Sequence, residues 1–204
     1  MKIIVFGANG KTGQEVVEQA LRSGIEVTAF VRDAEKVATK SPHLQTMVGQ
    51  ATNYEDVKRA VLGHDAVISC VGGKGLKVST TITDITTNIV KAMNEAGVKR
   101  VVQVGSAGVH GELKGVIGSI ISFMLGNTLR DHKGAYEQLQ KSGVDFTLAR
   151  PVSLTNSPLK GIYRETELGV PARGMSISRA DLAHFLLKAV QDEKYIGKSI
   201  GLAY

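Results

Sequence analysis

The chain of 204 residues has one cysteine, no tryptophan and four prolines, and only 5% of it is aromatic. A lone thiol, Cys70, excludes an internal disulfide and a cysteine-based metal cluster, and it fits a reducing compartment. The few aromatics do not interleave with basic residues, which argues against a stacking platform for single-stranded nucleic acid. Long apolar runs are lacking too. The longest strongly apolar stretch after the first strand, Val116 to Leu125, falls far short of the ~20 residues a membrane span needs. The first residues show no charged, then apolar, then small-residue signal pattern, so the expected compartment is the cytoplasm. No proline- or serine-rich linker, repeat or low-complexity tract divides residues 1–204, so one domain is expected.

Lys and Arg number 25 against 19 acidic residues, a formal net charge of +6. No run of four or more basic residues occurs, so the excess reads as a solvated basic surface, and neither nucleic acid nor a membrane is expected as a partner. His43, His64, His110 and His184 show no ligand-like clustering, so no metal is expected.

Glycine is what the chain has in abundance, 23 residues, many of them where strands should end. The first set follows Lys2-Ile-Ile-Val-Phe6. There Gly7-Ala-Asn9-Gly10-Lys11-Thr12-Gly13 spaces three glycines G-x-x-G-x-x-G between a buried strand and an amphipathic helix. Such a turn lets a pyrophosphate lie against bare backbone and against the unpaired N–H groups of the helix N-terminus. Strand two ends about 20 residues later, the context this dinucleotide-binding motif requires.

Strands are expected at Ile3 to Phe6, Glu26 to Val31, Leu44 to Val48, Ala66 to Val71, Lys99 to Val104 and Asp145 to Ala149, with a short last one at Ser199 to Leu202. Helices are expected at Lys11 to Arg22, at Ala34 to Thr39 behind Asp33, and from a Thr52/Glu55 capping box to Leu62. Others are expected at Thr80 to Ala96, Val116 to Leu125, Thr128 to Lys141, and Arg179 to Gln191 behind a Ser178/Asp181 capping box. Residues 152–176 read mostly as loop. The β-α alternation predicts an α/β fold with a doubly wound parallel sheet in order 3-2-1-4-5-6, binding its ligand where the order reverses.

An acidic residue ending strand two would mark NAD, because it accepts from the ribose diol. Val31 stands there instead, and Arg32 comes next, a guanidinium suited to a 2′-phosphate. NADP(H) is therefore preferred over NAD(H), with Lys11 and Thr12 as added donors. The competing reading gives the ribose to Asp33.

The glycine turn, Val31-Arg-Asp33, Gly105-Ser106, Lys141-Ser-Gly-Val-Asp145 and Ala149-Arg-Pro151 together resemble the atypical short-chain dehydrogenase/reductases. Within them the chain is most similar to the NmrA-like, NAD(P)H-binding branch and its NADPH-dependent flavin reductase/biliverdin-IXβ reductase group, which shares Asp131-His132. The resemblance implies a Rossmann fold and hydride transfer from NADPH to a flavin, quinone or linear tetrapyrrole.

It also implies roles. Cys70, Val71, Gly72, Gly73, Gly105, Ser106, Pro151, Val152 and Ser153 would surround the nicotinamide, and Gln50 would meet the adenine where the family has an acid. Ser106 and His132 would assist the acceptor; the plainer readings are a turn serine and a helix-capping histidine. Cys70 ends strand four beside the cofactor, yet a buried strand thiol is more often packing. The family's Tyr-x-x-x-Lys acid–base pair is missing, since Thr128 and His132 occupy its places. Tyr54-Glu-Asp-Val-Lys58 matches the spacing but falls on the wrong helix. Hydride transfer to an electrophilic acceptor needs no such pair. The alternatives are a non-catalytic NAD(P)-binding redox sensor and a relative of the sugar-nucleotide epimerases or dehydratases. Residues 152–178 would border the substrate, residues 110–129 would form a wall or lid, a dimer interface or core packing, and the protein would be a monomer or homodimer.

Overall fold

Strand β1 (Lys2–Phe6) is apolar on both faces, and Ile3 to Phe6 are wholly buried. Such a strand needs a partner along each edge and a helical layer over each face. It has all four. The computed structural model describes residues 1–73, 78–112 and 125–204. In it β1 pairs in parallel with β2 (Glu26–Val31) on one side and β4 (Ala66–Ser69) on the other. Strand β3 (Leu44–Val48) flanks β2, while β5 (Arg100–Val104) and β6 (Asp145–Pro151) continue beyond β4, all parallel.

The expected order 3-2-1-4-5-6 is therefore present, and two strands extend it. Strand β10 (Lys198–Ala203) lies parallel to β6, and β8 (Arg164–Thr166) closes the edge antiparallel to β10. A separate parallel pair joins β7 (Ser153–Thr155) to β9 (Ser176–Ser178). Residues 152–176 are otherwise mostly loop, as expected, and β7, β8 and the first residue of β9 are the strands within them. Their strands are three residues long, and at that length alternation cannot be told from irregular chain.

Ile3 and Val5 pack under α1 (Lys11–Arg22) and α5 (Arg179–Gln191). Ile4 and Phe6 pack beneath α2 (Tyr54–Val61) and α3 (Thr81–Ala96), with α4 (Gly126–Lys141) on the same face. Each fully buried aliphatic or aromatic side chain of these layers contributes roughly 1.5–3 kcal/mol.

Several element ends lie away from where local signals put them. Asn53, not Thr52, caps α2, accepting from the amide of Asp56 at 3.2 Å. Asn is the stronger of the two cap residues, and it stands one position later. Asp33 does cap the segment behind it, but that segment is one 3₁₀ turn, Ala34–Lys36, instead of a helix to Thr39. Ser178 caps α5 as expected, accepting from Asp181 at 2.9 Å. The carboxylate of Asp181 accepts from the Ser178 hydroxyl at 2.8 Å but not from its amide, and also accepts from the amides of Lys160 and Gly161 and from the Tyr204 hydroxyl. The helix expected at Val116 to Leu125 lies, apart from Leu125, outside the described residues.

Candidate cofactor and active site

Gly7 ends β1 with φ +76°, and a Cβ there would stand 3.0 Å from the Cys70 carbonyl carbon and oxygen. Gly13, in the first turn of α1, packs harder still: a Cβ would sit 2.2 Å from the Gly7 carbonyl oxygen. These two glycines let strand end, helix start and the end of β4 converge without side chains between them. Gly10 is the N-cap of α1 but supplies no side-chain cap, and no acidic residue stands in the first turn. The positive end of α1 is therefore left to be met by an outside anion. Lys11 and Thr12 are the first two helical residues.

Above this turn lies a cleft of about 340 Å³ at the carboxyl ends of β1 to β4. Of the expected residues it gathers Gly7, Asn9, Gly10, Arg32, Gln50, Cys70, Val71 and Gly72. It also takes in residues not anticipated: Phe30, Val31, Gly49, Ala51, Thr52, Thr81 and Ile85. Gly49 carries a readable signal, a glycine directly after a strand. A Cβ there would stand 2.7 Å from the Phe30 ring, which itself packs on Phe6 with centroids 4.8 Å apart. The Gln50 amide donates to Asp56 at 2.9 Å, and Asp56 pairs with Arg59 at 2.6 Å, so the loop after β3 is braced from α2.

Arg32 and Asp33 do different things. Arg32 is exposed at the cleft. Asp33 faces its own 3₁₀ turn, where it accepts from the Glu35 amide at 3.1 Å and pairs with Lys36 at 3.5 Å.

The remaining expected residues occupy the loops after the neighbouring strands. Beyond β5 the ladder with β6 runs on, Gly105 N–H to the Ala149 carbonyl at 2.7 Å and Ala107 N–H to the Pro151 carbonyl at 2.9 Å. Ser106 is held between them, half-buried, with its hydroxyl 3.1 Å from the Ala107 carbonyl. Val152 donates to Leu202 at 3.3 Å and Ser153 opens β7, exposed. Gly73 lies beside α3 and α4, since a Cβ there would meet the Thr128 methyl at 3.5 Å and the Ile82 side chain at 3.7 Å. Ser106, Pro151, Val152, Ser153 and His132 do not line the cleft itself.

His132 sits in the second turn of α4, because the helix begins at Gly126, so it does not cap the helix start. It is 6% exposed, its Nδ1 has no hydrogen-bond partner among the described residues, and burial pushes its pKa down to about 4. It is a neutral imidazole at pH 7. Asp131 beside it closes on the first turn of α3, accepting from the amides of Ile82 at 3.1 Å and Thr83 at 2.8 Å. Cys70 is partly buried at the cleft, and desolvation pushes its thiol up to about 12, which favours the protonated form at neutral pH.

Tyr54 and Lys58 point elsewhere. Lys58 pairs with Glu95 of α3 at 2.9 Å, and Lys91 lies 4.0 Å over the Tyr54 ring. Among the described residues no three His, Cys, Asp or Glu side chains gather as a metal would need, and no helix is long and apolar enough to cross a membrane.

A glycine cradle with no room for a Cβ at Gly7 and Gly13, an uncapped helix start and an open cleft meet at the reversal of strand order. Residues 7–193 match the family described as NAD(P)H-binding. The chain belongs to the NAD(P)H-binding family. It is 36% identical over 172 residues to an uncharacterized chloroplastic protein of Arabidopsis thaliana, covering 78% of this chain and 61% of that one. The chain thus spans under two thirds of that relative. Solved structures repeat the fold of this NAD(P)H-binding protein over its whole length. A short-chain dehydrogenase/reductase of Veillonella parvula in complex with NADP superposes with a TM-score of 0.85 at 21% identity, covering 100% of this chain and 94% of that one. The anaerobilin reductase ChuY of Escherichia coli O157:H7 gives 0.84 at 21% identity, covering 100% and 97%.

Proposed function

We propose that this NAD(P)H-binding protein is an NADPH-dependent reductase that passes hydride to a planar acceptor, a flavin, quinone or linear tetrapyrrole. The observation that carries the reading is the division of labour at the end of β2. Asp33 is committed to its own turn and to Lys36, while Arg32 stands open at the cleft. That leaves a guanidinium for a 2′-phosphate and no carboxylate for a ribose diol.

The residues fit the cofactor. Gly7, Asn9, Gly10, Lys11, Thr12 and Gly13 would hold the pyrophosphate, Arg32 the 2′-phosphate and Gln50 the adenine. Cys70 to Gly73, Gly105, Ser106 and Pro151 to Ser153 would hold the nicotinamide. Bound there, NADPH supplies a hydride. The protein's part is to align the acceptor and keep water away. Ser106 would donate a hydrogen bond to the acceptor or the carboxamide. His132, neutral, would act as a hydrogen-bonding group and not as a proton-loaded acid, so the proton comes from solvent. Residues 152–178 would border the acceptor. An anaerobilin reductase shares the fold, and its name points to a tetrapyrrole, which supports a flat acceptor here. In this reading the protein works in the cytoplasm, as monomer or homodimer.

One observation favours a second reading, a non-catalytic NAD(P)-binding sensor: Thr128 and a neutral His132 stand in place of the acid–base pair. Following NADPH absorbance with FMN, FAD and a simple quinone separates the two. Oxidation well above the protein-free rate with one acceptor supports the reductase. Intact NADPH binding without turnover of any acceptor sinks it and leaves the sensor.

A further inference from the structure

Arg150 ends β6 and is completely buried. Its five N–H donors are all used. Nε donates to the Ser199 hydroxyl at 2.8 Å, one terminal nitrogen donates to Glu112 and to the Gly169 carbonyl at 3.1 Å, and the other donates to the carbonyls of Glu167 and Ser199, each at 3.2 Å. The Glu112 side chain is 7% exposed, and its second oxygen accepts from the His110 amide at 2.7 Å. His110 reaches Ser199 as well, through Nε2 at 2.9 Å.

A buried ion pair is a poor device for stability alone, because desolvating two charges offsets their attraction and well-packed apolar side chains do as well. What this pair adds is geometry. The chain from Gly105 to Glu112 leaves the sheet carrying Ser106, and Glu112 is where it is tied back. Residues 167–169 belong to the substrate-side region, and the same guanidinium ties those. One side chain thus joins two segments that are distant in sequence to β6 and β10.

We propose that Arg150 and Glu112 are positioning residues that set the Ser106 loop against residues 167–169 and so shape the acceptor side of the site. The proposal rests on the reductase reading. Neither residue lines the nucleotide cleft, so the pair acts on what happens at the nicotinamide and not on the grip on the adenosine half.

The test uses Glu112→Gln, which keeps the shape, and the double variant E112L/R150M, which replaces the pair by apolar groups of similar bulk. Melting temperature, NADPH affinity, emission of bound NADPH, and kcat and KM with an accepted acceptor are measured for each. The expected result is NADPH affinity within about twofold of the parent but kcat lowered about 10- to 100-fold, the scale of a misplaced reacting group. Ser106→Ala should lower kcat in the parent and add nothing in the double variant. Emission of bound NADPH should shift while affinity holds. Parent-like kcat and emission in the double variant would overturn the proposal, as would full additivity with Ser106→Ala. Failure of both variants to fold would also overturn it, by showing that the pair holds the fold itself. If the parent turns over no acceptor, the reductase reading falls, and the emission shift at constant affinity still decides whether the pair sets the nicotinamide environment.

Discussion

Asp131 accepts hydrogen bonds from both the backbone amide and the hydroxyl of Thr83, at 2.8 and 2.9 Å, across 48 residues of chain. Helix α3 is thereby capped from α4, since its own N-cap residue, Thr80, makes no side-chain cap. Gly134 makes the approach possible, because a Cβ there would stand 2.5 Å from the Thr83 hydroxyl oxygen. This cap fixes α4, and with it His132, against the helix that lines the cleft. Asp131→Ala leaves two amides buried without an acceptor and is expected to lower unfolding free energy by roughly 1–3 kcal/mol, read by urea titration. Gly134→Ala should cost about the same by forcing the helices apart. In a Thr83→Ala background the Gly134→Ala penalty should shrink; an undiminished penalty would refute the contact.

Gly13→Ala tests the cradle. The obstacle is backbone, the Gly7 carbonyl oxygen at 2.2 Å, and backbone cannot rotate away as a side chain does. NADPH binding measured by calorimetry should weaken at least about tenfold, with a lowered melting temperature, because the turn must open to admit the methyl group. Parent-like affinity would show that the phosphates lie elsewhere.

Arg32→Ala should separate the two cofactors. Loss of a charge-assisted contact to a 2′-phosphate is worth roughly 1.5–3 kcal/mol, or about 10- to 100-fold in Kd for NADPH, while NADH affinity changes little. Equal loss for both would remove the 2′-phosphate role and return the ribose to Asp33.

His132 gives the stability a pH dependence of known sign. Its folded pKa lies near 4, against 6.5 when exposed, because burial disfavours the cation. The unfolded chain therefore takes up a proton first as pH falls. The contribution is complete above pH 6.5 and is lost progressively between 6.5 and 4, by at most roughly 3 kcal/mol. Burial lowers His64 in the same direction. Urea midpoints at several pH values should thus fall more steeply for the parent than for His132→Gln, and identical slopes would contradict the burial of a neutral imidazole.

What a sequence shows is what neighbours in sequence decide. The glycine turn, the continuous apolar run of β1 and the Ser178 cap each depend on residues within one turn or strand, and all are readable. Asp131 is readable only as half of a shared dipeptide, because its partners are Ile82 and Thr83. Arg150 likewise reads as part of Ala149-Arg-Pro151, with nothing to say that it is buried whole against Glu112 and Ser199. Asn53 and Thr52 are both good caps standing side by side, and only the modest preference for Asn separates them. The cleft divides in the same way: Gly7, Asn9 and Gly10 declare themselves by their spacing, whereas Phe30 and Ile85 enter it because strands and helices far apart in the chain are stacked side by side.

Among the described residues, all those lining the cleft fall between Gly7 and Ile85. In the proposed reading the adenosine and pyrophosphate would be held from this first part of the chain, and the loops after β5 and β6 would complete the nicotinamide and acceptor side. Such an arrangement works like a fixed handle with an exchangeable tool. On that reading, substitutions after β5 would change the acceptor side while the grip on the adenosine half stays as it was.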